Sequence, residues 1–511
     1  MAVVVIVGAL LRAIPVLGSD FPLNDGGMFV AMADDIRRNG FLLPEYTSYN
    51  GLRIPFAYPP MGLYVAAVLG GIGIAPLELL RWIPLTASVL AIPVAHGIFL
   101  RLLDHPARAL VATAAFAAMP NAYEWLIGGG GLTRSLGFTL ALACVLCAVD
   151  MLRSGGRWQT IITGVLGGLT VLAHPQAAIF AAVSVLILAA FWVADRRRTL
   201  WNIGLAGVVA GLVAVPWLIA VLLLHGPAPI LSAGQTGGSP LDGLRGFLSL
   251  RFSGGAVEVL GAFAAFGVFV AALNRKWWLA IWIVALFLVG ARKSLIFATI
   301  PASLAVSVGF ADLLRLLRIG EPVRATDFVR SRAGGMAALV LLAGVVSAGV
   351  SHAQPESPLN ALSTDQRAAM QWASRETPPD ATFLVISGTS WNLDAAAEWL
   401  PVIADRSSVV TVQGFEWLGA DAFQEQRGRH QWLQDCAVDG AALCVDEWID
   451  VVGPVDYVYL ADSATARAFG YDCCHHLAGP ISTQLGGTVV FENGQVVILS
   501  LPSGASAPRS G

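Results

Sequence analysis

Long apolar runs broken by short polar segments fill the first two thirds of the chain, without the strict alternation expected of half-buried strands. Backbone inside lipid must satisfy its own hydrogen bonds, so each run is read as a helix, and a crossing takes about 20 residues. Eleven such runs lie near 2–18, 77–102, 107–123, 132–152, 158–173, 176–194, 202–224, 256–273, 277–290, 294–314 and 334–352. After residue 353 the pattern changes to alternating helix and strand. Thr364 to Arg375 reads as helix, while Thr382 to Ile386, Ser408 to Val412 and Val455 to Leu460 read as extended. Thr488 to Phe491 and Val496 to Leu501 flank Asn493-Gly494, a two-residue hairpin signal. The expected fold is a polytopic α-helical membrane protein with eleven spans in residues 1–353 and a C-terminal α/β domain in 354–511.

Composition supports the membrane class. With 511 residues, 56% hydrophobic and 13% charged, and a mean hydropathy of +0.69, the chain is too apolar for a soluble fold of this size. The formal charge of -3 conceals an asymmetry, because residues 1–353 carry +9 and residues 354–511 carry -12. No basic tract resembles a nucleic-acid surface, so nucleic acid is not an expected partner. Arg12 lies within the first run, which lacks a basic leader and a clean cleavage site and is therefore read as a retained span.

Charge also orients the spans. Arg101 and Arg108, Arg153 and Arg157, Arg196 to Arg198, Arg275 and Lys276, and Arg315 to Arg332 occupy alternate loops, which makes those loops cytoplasmic. The alternation closes only if residues 59–76 do not cross the membrane, so that stretch is expected to be interfacial or re-entrant. The N-terminus is then inside and the acidic C-terminal domain outside the plasma (inner) membrane. The outer loops are 19–76, 123–131, a turn at 174, 225–255 and 291–293. Cys436, Cys444, Cys473 and Cys474 suit disulfides in an oxidising compartment, the alternative being a metal cluster with His475 and His476.

Candidate chemistry gathers on the outer side. Asp25 follows the first span, where a carboxylate can meet a soluble group carried on a lipid; the bland reading is a cap for the helix beginning near Phe29. Further along the same loop runs Ala57-Tyr58-Pro59-Pro60-Met61-Gly62-Leu63-Tyr64. The second outer loop offers Glu124 and Arg134 on either side of four glycines at 128–131. Arg134 can bind a ligand or snorkel. His174 sits in a Leu-Ala-His-Pro-Gln turn and reads first as structural. Arg292 and Lys293 break the positive-inside pattern and could hold a phosphate or anchor to headgroups. Arg12 is a secondary candidate. The tail acids Asp394, Glu398, Asp405 and Glu416, interleaved with Trp391, Trp399 and Trp417, are expected on a solvated domain with a partly aromatic core, the alternative being a carbohydrate surface.

A carboxylate after span one, a Tyr-Pro-Pro-Met-Gly-Leu-Tyr stretch, many spans and an outer C-terminal domain together resemble the GT-C glycosyltransferases, which include protein O-mannosyltransferases, aminoarabinose transferases and oligosaccharyltransferases. Ala397-Glu398-Trp399-Leu400-Pro401 and Gln413-Gly414-Phe415-Glu416-Trp417 look like the outer domains of bacterial members. The resemblance implies transfer of a sugar from an isoprenoid-phosphate donor to a glycan, lipid or protein acceptor, with inversion. It casts Asp25 as base, Asp20 as the weaker match, and Glu124 as the second-loop acid. Arg134, Arg292 and Lys293, with His174 and Tyr58, become substrate-binding candidates. A divalent metal, Mg or Mn, would take Asp25 and Glu124 as ligands. The competing functions are a transporter or flippase for a lipid-linked or polar solute, and a non-catalytic envelope protein with an inactive GT-C-like fold.

Overall fold

The computed structural model describes residues 1–21, 23, 25–103, 105–128, 130–192, 195–236, 259–289, 294–316, 362–438, 442–462 and 473–502. Each of the first ten apolar runs carries a helix. These are α1 (Ala2–Leu17) and, after α2 (Gly27–Arg38) and α3 (Met61–Gly71) in the first loop, α4 (Pro76–Leu102) and α5 (Pro106–Ala118). The short α6 (Glu124–Ile127) leads into α7 (Gly131–Ser154), α8 (Arg157–Ala173), α9 (Pro175–Trp192) and α10 (Arg196–His225). Past α11 (Ala228–Gln235) come α12 (Val259–Leu273), α13 (Trp278–Val289) and α14 (Ser294–Leu316). The eleventh run, 334–352, lies outside the described residues.

Four of these helices, α4, α7, α9 and α10, are long and apolar enough to cross a membrane. In α10 only 11% of the apolar window is buried within the protein, as suits a helix that faces hydrocarbon. The fold is that of a polytopic helical membrane protein. Helix α5 is shorter than its apolar run because Pro120 lacks an N–H and forces Met119 to extended backbone, φ -73° and ψ 117°. Helix α3 has 11 residues, about 16 Å at the α-helical rise, too short to span. Helices α8 and α10 pack backbone to backbone: a Cβ on Gly164 or Gly168 would stand 2.6 Å or 2.7 Å from the Ala206 or Ala210 carbonyl oxygen.

Three of the basic loops meet. Arg101 pairs with Asp150 at 2.5 Å, Arg153 donates to the Arg101 carbonyl, and Arg198 donates to the Gly155 carbonyl at 2.9 Å. Arg12 is fully buried, and it is explained by packing: it donates to Ser88 Oγ, the Gly8 carbonyl and the Ala117 carbonyl at 2.8–3.0 Å. Ala117 lies in the last turn of α5, where carbonyls lack helical partners and the dipole favours a cation.

The C-terminal part contains α15 (Thr364–Glu376), β3 (Thr382–Ile386), α16 (Ala395–Ile403), β4 (Ser407–Ser408), α17 (Ala420–Val438), α18 (Ala442–Val452), β5 (Tyr457–Ala461), α19 (Ala478–Leu485), β6 (Thr488–Glu492) and β7 (Val496–Ser500); β1 (Tyr46–Thr47) and β2 (Ile54–Pro55) form a separate ribbon in the first loop. Its sheet runs β4-β3-β5-β7-β6, with β3 parallel to β4 and β5 and the other pairs antiparallel. A Ser363/Gln366 capping box starts α15. The final hairpin forms, but its turn is centred one residue later than expected: Asn493 donates to the Val496 carbonyl, and its side chain accepts from Gln495 and Val496 N–H. Cys436 is bonded to Cys444 and Cys473 to Cys474.

The core of the sheet is continuous with the first loop. Phe21, Leu23, Met28 and Met32 belong to the same buried cluster as Trp399, Leu400 and Val410. The tail acids divide: Asp394 and Glu398 are 3% and 2% exposed rather than solvated. Asp394 caps α16 through Ala397 N–H and meets His430 Nε2 at 2.9 Å.

Candidate functional site

The site is built where the first loop, the second loop and the C-terminal part converge. Helix α2 starts at Gly27, and its N-cap Gly26 has φ 134°, a conformation that side chains rarely adopt. Asp25 is therefore not the cap. Its Oδ2 instead accepts from Arg134 Nη2 at 2.6 Å, and Arg134 Nη1 donates to the Trp125 carbonyl at 3.0 Å. Arg134 does not snorkel: it bridges the two loops as a forked donor. Asp25 Oδ1 is buried and has no hydrogen-bond partner among the described residues.

The floor beside that oxygen is Gly130, whose φ is +49°; a Cβ there would stand 3.0 Å from Asp25 Oδ1 and 2.8 Å from Phe29. Tyr58 lies edge-on to Phe29 at 5.0 Å and to Trp417 at 5.4 Å. Its hydroxyl is 3.2 Å from Thr133 Oγ1, on the residue before Arg134. Glu416 accepts from Gly414 N–H at 2.9 Å, and its carbonyl accepts from Ser232 of α11 at 2.8 Å. Glu398 Oε1 accepts from Gly26 N–H at 2.8 Å. Burial, and then the charge of Asp25, hold the Glu398 carboxyl well above the usual carboxylate range.

Asp25, Arg134 and Tyr58 thus come together. Glu124, in α6, is pushed up to about 7 by burial. Its carboxylate makes no hydrogen bond or ion pair to Asp25 among the described residues, although the neighbouring Trp125 carbonyl receives Arg134. His174 ends α8 and packs its Cβ against Gly137 of α7, about one helical turn from Arg134. Asp20 turns away from the site to pair with Arg367 of α15. Arg292 and Lys293 lie outside the described residues.

Glu398 and Glu416 are expected from sequence on a solvated domain, and Thr133 carries no expected role. One signal was available for Glu398: it is the sole charge in the run Ala395-Ala396-Ala397-Glu398-Trp399-Leu400, a context that favours burial. Among the described residues there is no group of three or more His, Cys, Asp or Glu side chains that could hold a divalent cation, and the guanidinium of Arg134 occupies Asp25 Oδ2.

No family model matches the chain, and no curated protein matches it. Solved structures do. The archaeal oligosaccharyltransferase AglB from Archaeoglobus fulgidus, in complex with an inhibitory peptide and a dolichol-phosphate, superposes with a TM-score of 0.61 at 15% identity, covering 99% of this chain and 76% of that one. ArnT from Cupriavidus metallidurans, bound to undecaprenyl phosphate, gives 0.56 at 15% identity and covers 99% of both chains. The Archaeoglobus enzyme tethered to an acceptor peptide gives 0.56 at 14% identity, covering 98% and 74%. At this identity the likeness concerns architecture, and on it this chain has a GT-C-like fold.

Proposed function

We propose that the chain transfers a sugar from an isoprenoid-phosphate-linked donor to an acceptor hydroxyl at the outer face of the membrane, with inversion and with Asp25 as the base. The observation that carries this reading is the division of labour within one carboxylate. Oδ2 is held by Arg134, and Oδ1 is buried and unpartnered among the described residues. A carboxylate fixed through one oxygen presents the other in a constant direction, which general-base chemistry requires.

The acceptor hydroxyl passes its proton to Asp25 Oδ1 while its oxygen attacks the anomeric carbon. The bond from that carbon to the phosphate oxygen breaks, and the lipid phosphate leaves with the bonding pair. Arg292 and Lys293 are assigned to the leaving phosphate on sequence grounds, since cations already in place stabilise the charge that develops there. Glu124, near neutrality, is the second acid–base candidate, and His174 and Tyr58 line the substrate path. The AglB structure is in complex with a dolichol-phosphate and the ArnT structure is bound to undecaprenyl phosphate, which supports a lipid-phosphate carrier. Contact among three of the basic loops supports the orientation expected from the positive-inside rule, with those loops cytoplasmic and Asp25 outer.

The purified chain in lipid nanodiscs, given the same sugar on isoprenoid phosphate or on a nucleotide, is expected to transfer it only from the lipid carrier. Transfer from the nucleotide alone would defeat the reading. So would movement of intact lipid-linked sugar across proteoliposomes without bond cleavage, which is the transporter outcome.

A further inference from the structure

Helix α16 is apolar except for one carboxyl, and that carboxyl is driven into the base of the candidate site. Trp399 anchors the helix edge-on against Phe21 at 4.9 Å. Tyr49 donates its hydroxyl to the Glu398 carbonyl at 2.7 Å. A Cβ on Gly27 would stand 2.8 Å from that same carbonyl oxygen, so the two backbones touch. At 2% exposure, Glu398 spends one oxygen on Gly26 N–H at 2.8 Å. Its other oxygen, Oε2, is buried without a partner among the described residues. An apolar side chain would fill this space without the desolvation cost of a carboxyl. What the carboxyl adds is a grip on the peptide that immediately follows Asp25.

We propose that Glu398 is a positioning residue of the transfer site, holding the Asp25–Gly26 turn so that Asp25 meets Arg134 through Oδ2 and keeps Oδ1 free. This rests on the reading of Asp25 as the base. The charged or titratable groups acting on Glu398 are Asp25 beside α2, Arg134 of α7, and Glu416 of the turn that carries Trp417. Tyr49, from the first loop, faces it as well. A neutral Glu398 accepts from Gly26 without repelling Asp25. Once ionised, it sets a second negative charge beside Asp25 and competes for Arg134. Burial raises its carboxyl, so the neutral form gives way at a higher pH than for an ordinary carboxylate, which puts its effect on the alkaline side of the rate profile.

The test compares E398A, E398Q and D25N in the lipid-carrier transfer assay across pH. Freed from its grip, Asp25 is displaced, so E398A is expected to lose about a hundredfold in kcat with little change in donor KM. E398Q keeps an oxygen for Gly26 N–H and cannot ionise. It is expected to recover most of the rate lost in E398A and to lack the alkaline fall of the wild type, and it remains informative if E398A does not fold. Wild-type kcat in E398A, or an unchanged alkaline fall in E398Q, would overturn the proposal while an inactive D25N left the base assignment standing. A fully active D25N would remove the base, and this role of Glu398 with it.

Discussion

Asp25→Asn is expected to reduce sugar transfer by about 10²- to 10⁴-fold, the range contributed by a positioned general base, while the protein still folds. Asparagine keeps the shape of the side chain and one oxygen, so an acceptor for Arg134 Nη2, now 2.6 Å from Asp25 Oδ2, can survive. What is lost is the capacity to take a proton at the atom beside Gly130. The loss should fall on kcat, with donor KM moving little, because nothing in the described geometry makes Asp25 a phosphate ligand. Steady-state kinetics with the lipid-linked donor, beside a thermal melt of the detergent-solubilised variant, separate the two. Near wild-type kcat in a normally folded D25N would remove Asp25 from the mechanism.

The second large effect is expected at Arg134. Arg134→Gln strips a half-buried carboxylate of its cation and removes the Nη1 hydrogen bond to the Trp125 carbonyl. Removing one partner of a fully buried ion pair costs roughly 3–5 kcal/mol; the cost here should be smaller, since Asp25 keeps 25% of its side-chain surface exposed. The rate should fall further than stability does, by about 10²-fold, because a loosened Asp25 no longer points one oxygen at the acceptor. Arg134→Lys keeps the charge but cannot reach Asp25 and the Trp125 carbonyl with a planar fork. It should lie between wild type and R134Q in both kcat and melting temperature. Equal rates for R134K and wild type would show that only charge is needed at this position.

Much of this architecture is legible in the chain because lipid removes alternatives. An apolar run that must satisfy its own backbone can only become a helix, and α1, α4 and α7 to α10 lie close to where the runs place them. Asp25 is legible for a related reason, as a carboxylate delivered by a span to the membrane surface. The pairing of Asp25 with Arg134 is not legible, since the two are 109 residues apart and each has a bland local explanation. Glu398 is harder still. Its partner Gly26 is 372 residues away, on the other side of the bundle sequence. A carboxylate among alternating helices and strands defaults to a solvated face unless tertiary contacts say otherwise. Small shifts have local causes: Pro120 stops α5 early, and the Asn493 side chain moves the last turn by one residue.

The most direct measurement of the central claim is the anomeric configuration of the product relative to the donor, read by NMR on material made by the purified chain. Direct attack by a hydroxyl that Asp25 deprotonates predicts opposite configurations in donor and product, with product formation from D25N slowed as above. Retention would contradict the account, because a single in-line displacement at the anomeric carbon inverts it.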